Sequence, residues 1–125
     1  MALKSNLHVL FVDDDELLVD MTSEMLTRGG CIVTGETSGM DALRQFSEHP
    51  DDFDIAIIDP RMPVISGLEL AQRFRRIQPG FPVILYGGDI SLSLLHDAVE
   101  DGISCCDKPA TGKEMERAIV KALKR

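Results

Sequence analysis

Residues 7–15, LHVLFVDDD, join a run of apolar side chains directly to three consecutive carboxylates. Only His8 interrupts the apolar run 7–12. The run is too short for a helix and too uniformly apolar for a strand with one face in water, which is the pattern of a strand in a parallel sheet covered on both faces. The acidic residues Asp13, Asp14 and Asp15 therefore stand at the carboxyl end of a predicted central strand.

The same pattern recurs further along the chain. Residues 55–58 and 83–86 are short, continuous apolar runs, and residues 31–34 and 103–106 are weaker candidates of the same type. Together with residues 7–12 they predict a sheet of five strands.

The segments between these runs carry helix signals. A Ser or Thr followed three residues later by Glu or Asp, a typical helix start, occurs at residues 38–41, 66–69 and 111–114. The clearest apolar stripe, with the spacing i, i+3, i+4, i+7 and i+8, is Met115, Ala118, Ile119, Ala122 and Leu123. Shorter stripes mark two more helices: Leu18, Met21 and Met25 before Gly29-Gly30, and Leu92, Leu95 and Val99 before Gly102.

The predicted elements alternate strictly between strand and helix, with short connections. Such alternation predicts right-handed crossovers and helices on both faces of a mostly parallel sheet. Ligands of these folds bind at the carboxyl ends of the strands. Because Asp13, Asp14, Asp59 and Lys108 each follow a predicted strand, we expect the topology to bring them to one edge of the sheet.

Composition predicts a single small domain over residues 1–125, since the chain is 44% hydrophobic and has no repeat or long polar tract. No apolar segment approaches the about 20 residues needed to span a bilayer, and residues 1–6 are too short and polar for a signal peptide, so we expect a cytoplasmic location. A net charge of −8 argues against non-specific nucleic-acid binding by this domain. Cys31, Cys105 and Cys106 are expected to be buried free thiols.

Several carboxylates gathered in one pocket need a counter-ion. Two unit charges 4 Å apart repel by about 4 kcal/mol at an effective dielectric constant of about 20. Hard oxygen ligands without a nearby His or thiol favour Mg²⁺, and Lys108 is suited to a phosphoryl oxygen. With Asp59 as a spare carboxylate, such a site is suited to phosphoryl transfer to Asp59.

Four segments resemble the receiver domain of two-component response regulators: residues 11–15 (FVDDD), residues 57–63 (IIDPRMP), Gly67 and residues 107–109 (DKP). The resemblance extends over essentially the whole chain. It implies an α/β, doubly wound, five-stranded parallel sheet of the flavodoxin-like order 2-1-3-4-5 with five flanking helices.

The resemblance also assigns roles within the site. Asp59 would accept a phosphoryl group from a histidine kinase or a histidine phosphotransfer domain. Asp13 and Asp14 would hold Mg²⁺ directly or through water, with Asp59 and the backbone carbonyl of Arg61 completing its protein ligands. Lys108 would pair with the phosphoryl oxygens, and its bond to Pro109 would be cis. The candidate phosphoryl-binding residues are Gly87, Gly88 and Arg61.

The family resemblance extends to partners. The domain would catalyse its own phosphorylation and dephosphorylation, and phosphorylation would switch its contacts with an output domain or a downstream target protein. Helix 4, strand 5 and helix 5 form the family's usual surface for a target or a homodimer, and Ser93, His96, Asp101 and Lys113 are expected on it.

Two positions depart from the family pattern. Gly87, followed by Gly88, stands where the family has Ser or Thr, and Cys105 stands where it usually has an aromatic residue. The missing hydroxyl removes one hydrogen bond to a charged group, worth about 1.5–3 kcal/mol when well formed. The Gly88 N–H remains, and a water or the hydroxyl of Ser91 can substitute. We expect phosphorylation to survive and its effect to pass through residues 87–90 and the following helix.

Three other classes of protein share parts of this pattern. A flavodoxin-like FMN carrier needs a Ser/Thr/Gly-rich phosphate loop where this chain has residues 13–15, DDD. A Mg²⁺-dependent hydrolase of the aspartyl-phosphate type places its nucleophile on the first strand and carries a cap or longer insertions, and this chain has no such insertion. The remaining alternative is a pseudo-receiver, a phosphorylation-independent protein-binding module, which Gly87 and Cys105 favour. A dependence of thermal stability on Mg²⁺ separates it from a working receiver.

Overall fold

A computed structural model describes residues 6–124. Residues 1–5 and residue 125 lie outside the described residues. The predicted domain includes all of them, and the prediction that residues 1–6 are not a signal peptide rests mostly on residues 1–5. The strands are His8–Val12 (β1), Ile32–Glu36 (β2), Ile55–Ile58 (β3), Val83–Gly87 (β4) and Ser104–Asp107 (β5). The helices are Glu16–Arg28 (α1), Gly39–Glu48 (α2), Gly67–Ile77 (α3), Leu92–Glu100 (α4) and Gly112–Leu123 (α5), with an additional short 3-10 helix at Pro50–Asp52.

The strands form one parallel sheet in the order β2-β1-β3-β4-β5. This order confirms the flavodoxin-like topology that the resemblance implied. β1 lies between its two neighbours, with Val9 opposite Val33 of β2 on one side and Ile55 of β3 on the other. All five strands therefore present their carboxyl ends at the same edge.

Burial follows the position of each strand in the sheet. The central strands β1, β3 and β4 are almost wholly buried, whereas the edge strands β2 and β5 are partly exposed. The weaker apolar pattern of residues 31–34 and 103–106 thus marked the two edges. An edge strand has fewer neighbours to cover it, so its sequence need not be uniformly apolar.

Alternate residues of the central strands supply two separate cores. On one face, Leu10 and its neighbours pack under α2, α3 and α4, where Phe46 stacks on Phe74 with ring centroids 4.4 Å apart. On the other face, Phe11 packs under α1 and α5.

The three cysteines are free; Cys31 is buried, whereas Cys105 and Cys106 are only half-buried, on opposite faces of β5. Among residues 6–124, no helix is long and apolar enough to cross a membrane.

The helix starts lie where the polar signals predicted them. The hydroxyls of Ser38 and Ser66 accept the N–H groups of Asp41 and Glu69. At Thr111 the cap is reciprocal, because the Glu114 carboxylate also accepts the Thr111 N–H. These bonds satisfy backbone donors that the first helical turn leaves free.

Two predicted stripes correctly marked helices but matched their buried faces only in part or not at all. α1 packs mainly through Val19 and Leu26; of its predicted stripe, Met25 is partly buried against the same core, whereas Met21 is exposed. α4 packs through Ala98, while the predicted stripe points outward, its members being 84%, 39% and 61% exposed at Leu92, Leu95 and Val99. Leu94, which the predicted stripe did not include, packs against the same core as Ala98, so the stripe itself remains on the outer face.

Candidate functional site

The carboxyl ends of the strands are joined by backbone hydrogen bonds that continue the sheet beyond the strands. The Asp13 N–H donates to the Glu36 carbonyl at 3.1 Å, and the Asp59 N–H donates to the Val12 carbonyl at 2.8 Å. The Lys108 N–H donates to the carbonyl of Gly87 at 3.0 Å. The strand register therefore positions these residues, with no flexible connection in between.

Three carboxylates meet at this edge, as the sequence predicted. Oxygen atoms of Asp13, Asp14 and Asp59 all lie within 4.8 Å of one another. Asp13 is only 1% exposed, Asp59 is half-buried and Asp14 is exposed. This set of hard oxygen donors, closed on one side and open to solvent on the other, fits a divalent cation that keeps some of its water, such as Mg²⁺.

Lys108 adds the positive charge of the site. Its Nζ lies 2.6 Å from Asp13 Oδ2 and 3.7 Å from Asp59 Oδ2, and its side chain is only 21% exposed. Lys108 is therefore part of the site and not a lysine of the open surface. The Lys108–Pro109 peptide bond is cis, as predicted.

Burial raises the pKa of Asp59 above its ordinary value, because the ionised carboxylate loses solvating water. The N–H of Arg61, which donates to Asp59 Oδ1 at 3.0 Å, and the Lys108 ammonium act in the opposite direction. The negative charges of Asp13 and Asp14 raise the pKa of Asp59 further. A bound cation would favour the ionised form that a nucleophilic carboxylate requires.

Gly87 leaves no room for a side chain at the end of β4. A Cβ placed there would lie 2.7 Å from Cγ and 2.8 Å from Cδ of Pro60, whose ring is buried. The next residue, Gly88, is exposed, and a Cβ there would meet nothing within 4 Å. The hydroxyl missing from position 87 has thus been replaced by packing against Pro60, while the backbone of Gly88 stays accessible.

Arg61 lies at the exposed side of the site and contacts the chain that follows β4. Its Nη2 donates to the carbonyl oxygen of Asp89 at 2.7 Å. Asp89 has a φ of 50°, a left-handed conformation uncommon for a residue other than glycine. The hydroxyl of Ser91, predicted from the sequence as a substitute for the one missing at position 87, accepts the N–H of Leu94. It therefore already serves as the N-cap of α4.

Tyr86 is a site residue that the sequence interpretation missed. Its hydroxyl accepts the Ala110 N–H at 2.9 Å, and Lys108 Nζ lies 5.5 Å from the centroid of its ring. The side chain is almost wholly buried. The available signal was a phenol, the chain's one tyrosine, within an apolar run, because a buried tyrosine hydroxyl usually has a hydrogen-bond partner.

Asp15, the last of the three consecutive acidic residues, stands at the start of α1. The Asp15 carboxylate caps α1 by accepting the N–H groups of Leu17 and Leu18.

The four residues predicted for the partner surface, Ser93, His96, Asp101 and Lys113, are all exposed. Asp101 accepts a hydrogen bond from Gln72 of α3 at 2.9 Å, so it faces α3 as well.

Comparison with known proteins gives a consistent match. The family model for the response regulator receiver domain matches residues 9–120. The transcriptional regulatory protein GlrR of Escherichia coli K12 is 32% identical over 119 residues, covering 94% of this chain and 26% of GlrR. The two-component response regulator ORR27 of Oryza sativa subsp. japonica is 32% identical over 114 residues, covering 88% of this chain and 18% of ORR27. The chain thus spans about a quarter or less of these relatives' length.

Solved structures agree in fold. A response regulator receiver domain protein from Clostridium thermocellum superposes with a TM-score of 0.89 at 28% identity, covering 94% of both chains. The chemotaxis protein CheY4 of Vibrio cholerae superposes with a TM-score of 0.86 at 24% identity, covering 95% of this chain and 100% of CheY4. At that identity the second match shows the fold alone.

Proposed function

The chain belongs to the response regulator receiver domain family, and we propose from that membership that it accepts a phosphoryl group on Asp59. The observation that carries the proposal is the acidic cluster itself. Asp13, Asp14 and Asp59 converge around a half-buried Lys108. Such an arrangement concentrates negative charge at a cost in stability, which a scaffold without phosphoryl chemistry has no reason to retain.

The donor in this proposal is a phosphohistidine of a histidine kinase or of a histidine phosphotransfer domain. A carboxylate oxygen of Asp59 attacks the phosphorus, and the P–O bond forms as the P–N bond to the donor imidazole breaks. The leaving nitrogen keeps the electron pair and takes a proton from solvent. In dephosphorylation, a water oxygen attacks the phosphorus and the P–O bond to Asp59 breaks, which releases inorganic phosphate and restores the carboxylate.

The chain's own residues would assist through position and charge. The Lys108 ammonium, already 3.7 Å from Asp59 Oδ2, would pair with the phosphoryl oxygens. The exposed backbone of Gly88 and the Arg61 side chain are the other proposed phosphoryl contacts, and Gly87 allows close approach. Mg²⁺ held by Asp13, Asp14, Asp59 and the backbone carbonyl of Arg61 would supply neutralisation of the clustered negative charge.

The partners follow from the family and are proposals for this chain. We expect phosphorylation to switch contacts with an output domain or a downstream target protein, in the cytoplasm. The surface formed by α4, β5 and α5 is the proposed site of that contact or of a homodimer. Its apolar component is the outward stripe of Leu92, Leu95 and Val99.

The second candidate function is a pseudo-receiver that binds partners without phosphorylation. One observation favours it: Pro60 fills the space where residue 87 would carry its hydroxyl. The two candidates differ in whether Asp59 reacts.

Intact-mass measurement after incubation with acetyl phosphate, with and without Mg²⁺, decides between them. We expect a single Mg²⁺-dependent phosphoryl adduct that is absent from Asp59→Asn and present in the control Asp20→Asn, which changes an exposed carboxylate of α1. No adduct in the unsubstituted chain under donor excess would favour the pseudo-receiver.

A further inference from the structure

The end of β4 cannot report on a neighbouring phosphoryl group through its own side chain. Gly87 has none, and a Cβ there would lie 2.7 Å from Pro60 Cγ, closer than non-bonded carbon atoms approach. On β5, the half-buried Cys105 supplies only a small thiol against the core. A signal from Asp59 to α4 therefore needs a side chain from another element.

Arg61 is the residue that touches both sides of the site. Its backbone N–H donates to Asp59 Oδ1 at 3.0 Å, and its guanidinium donates to the Asp89 carbonyl at 2.7 Å. Asp59 follows β3 and Asp89 follows β4, so this one residue joins two loops whose bonded positions are 28 apart in sequence. We refer to residues 88–91, between β4 and α4, as the β4–α4 loop.

The first two residues of the β4–α4 loop have little packing, whereas its last residue, Ser91, caps α4. Gly88 and Asp89 are both exposed, and nothing lies within 4 Å of where a Gly88 Cβ would stand. Asp89 is in the left-handed region, with a φ of 50°, a conformation that aspartate adopts more readily than most residues but less readily than glycine. The hydrogen bond from Arg61 ties this exposed part of the loop to the turn after β3.

A phosphoryl group on Asp59 would compete for the same guanidinium. The guanidinium is positively charged, so an ionised phosphoryl group attracts it more strongly than a neutral carbonyl does, and the planar fork of arginine matches phosphate oxygens. The Asp89 carbonyl is a neutral acceptor at an exposed position, where water can replace Arg61. Because the backbone of Arg61 is already bonded to the Asp59 carboxylate, its side chain starts close to the new charge.

We propose that Arg61 supplies the phosphoryl contact that residue 87 cannot give, and that its guanidinium moves from the Asp89 carbonyl to the phosphoryl oxygens when Asp59 is phosphorylated. This inference rests on the proposed function of Asp59 as a phosphoacceptor. The move releases the β4–α4 loop and the first turn of α4. It thereby alters the exposed face that carries Leu92 and Leu95.

Hydrogen exchange measured by mass spectrometry on peptides covering residues 88–95 tests the proposal. In the unsubstituted chain, phosphorylation by acetyl phosphate and Mg²⁺ is expected to accelerate exchange there about threefold to tenfold, the range for one exposed hydrogen bond. Arg61→Ala is expected to exchange at the faster rate before phosphorylation and to show no further increase. Arg44→Ala is the matched control, because Arg44 is an exposed arginine paired with Asp41 on α2, and it should respond as the unsubstituted chain does.

Intact mass recorded on the same samples separates the possible failures. No phosphoryl adduct in the unsubstituted chain removes both the phosphoacceptor function and this inference. Full phosphorylation with unchanged exchange in residues 88–95, or an Arg61→Ala response equal to that of the unsubstituted chain, overturns the role of Arg61 alone. Arg61 is exposed, so its replacement leaves the core intact, and thermal unfolding of each variant verifies this.

Discussion

Lys108 carries the positive charge of the site, and Tyr86 determines where that charge lies. The Tyr86 hydroxyl accepts the N–H of Ala110, two residues beyond Lys108, and the ring lies under the ammonium at 5.5 Å. Asp13 Oδ2 lies 2.6 Å from the same ammonium. The phenol therefore positions a group that the proposed chemistry uses without itself contacting the phosphoryl group.

Tyr86→Phe is expected to lower the free energy of unfolding by about 1 kcal/mol, because the Ala110 N–H loses its partner. It is also expected to slow phosphoryl transfer to Asp59 about tenfold, since small displacements of a catalytic group are costly. Urea unfolding and intact mass followed over time measure the two effects. Phe74→Leu, which disturbs the core under α3, is the control; if it slows transfer as much as Tyr86→Phe, Tyr86 has no specific positioning role.

The raised pKa of Asp59 predicts a pH-dependent effect on stability. Burial is the main cause, and it means that the folded chain binds the Asp59 proton more tightly than the unfolded chain does. Ionised Asp59 therefore lowers stability at pH values above its folded pKa, and this penalty disappears as the pH falls below the ordinary value of 3.8. Asp59→Asn is thus expected to raise the free energy of unfolding at pH 7 in EDTA, with a gain that shrinks toward pH 4.

Urea unfolding at pH 7 and pH 4 provides the measurement. Asp20→Asn, on the exposed face of α1, is the control and should change stability little at either pH. A gain for Asp59→Asn that is the same at both pH values would show that the ionised carboxylate is not the source of the penalty.

At the scale of elements, the end of β4 and the turn after β3 are fitted to each other. Gly87 and Pro60 occupy complementary space, because a Cβ on one would lie 2.7 Å from a ring carbon of the other. A hydroxyl therefore cannot be added to β4 without a change in the β3 turn.

Gly87→Ser alone is expected to destabilise the fold by about 1–3 kcal/mol, the usual cost of overpacking. Combined with Pro60→Ala, which removes the opposing ring atoms, the same serine should cost much less. A double-mutant cycle in urea measures the coupling directly. Additive effects of the two substitutions would contradict the close packing between these two elements.

Elements show where sequence reasoning succeeded and where it could not. The strands and their terminal residues were predictable because buried parallel strands must be apolar, so that Asp13, Asp59 and Lys108 stand out at their ends. The outward stripe of α4 was not, because spacing along a helix identifies one face but not which face the sheet covers. Ala98 and Leu94 pack on the core, and this face is no more apolar in the sequence than the outward stripe.

Contacts between elements were beyond sequence reasoning for a related reason. The hydrogen bond from Arg61 to the carbonyl of Asp89 and the bond from Ala110 to Tyr86 each join two loops or strands. Neither depends on a periodic pattern or a local motif. Such contacts follow from the three-dimensional register, so the predicted list of site residues contained Arg61 but neither its partner carbonyl nor Tyr86.

At the scale of the whole molecule, a net charge of −8 and an acidic site at one sheet edge favour the binding of a cation. Mg²⁺ bound to the folded chain alone should stabilise it by mass action, by about 2.7 kcal/mol at a hundredfold excess over the Kd. Thermal unfolding with increasing Mg²⁺ is expected to show a rising midpoint that Asp13→Asn abolishes. Asp20→Asn should retain the rise, and equal responses of both variants would indicate non-specific screening of the net charge.

The central claim is that Asp59 itself forms the aspartyl phosphate, and chemical trapping tests it most directly. Treatment with acetyl phosphate and Mg²⁺ followed by borohydride reduces an acyl phosphate to an alcohol, and peptide mass spectrometry then locates the converted residue. The account predicts conversion of Asp59 to homoserine, dependent on both donor and Mg²⁺. Conversion at Asp13 or Asp14 instead, or no conversion at any residue under donor excess, would contradict it.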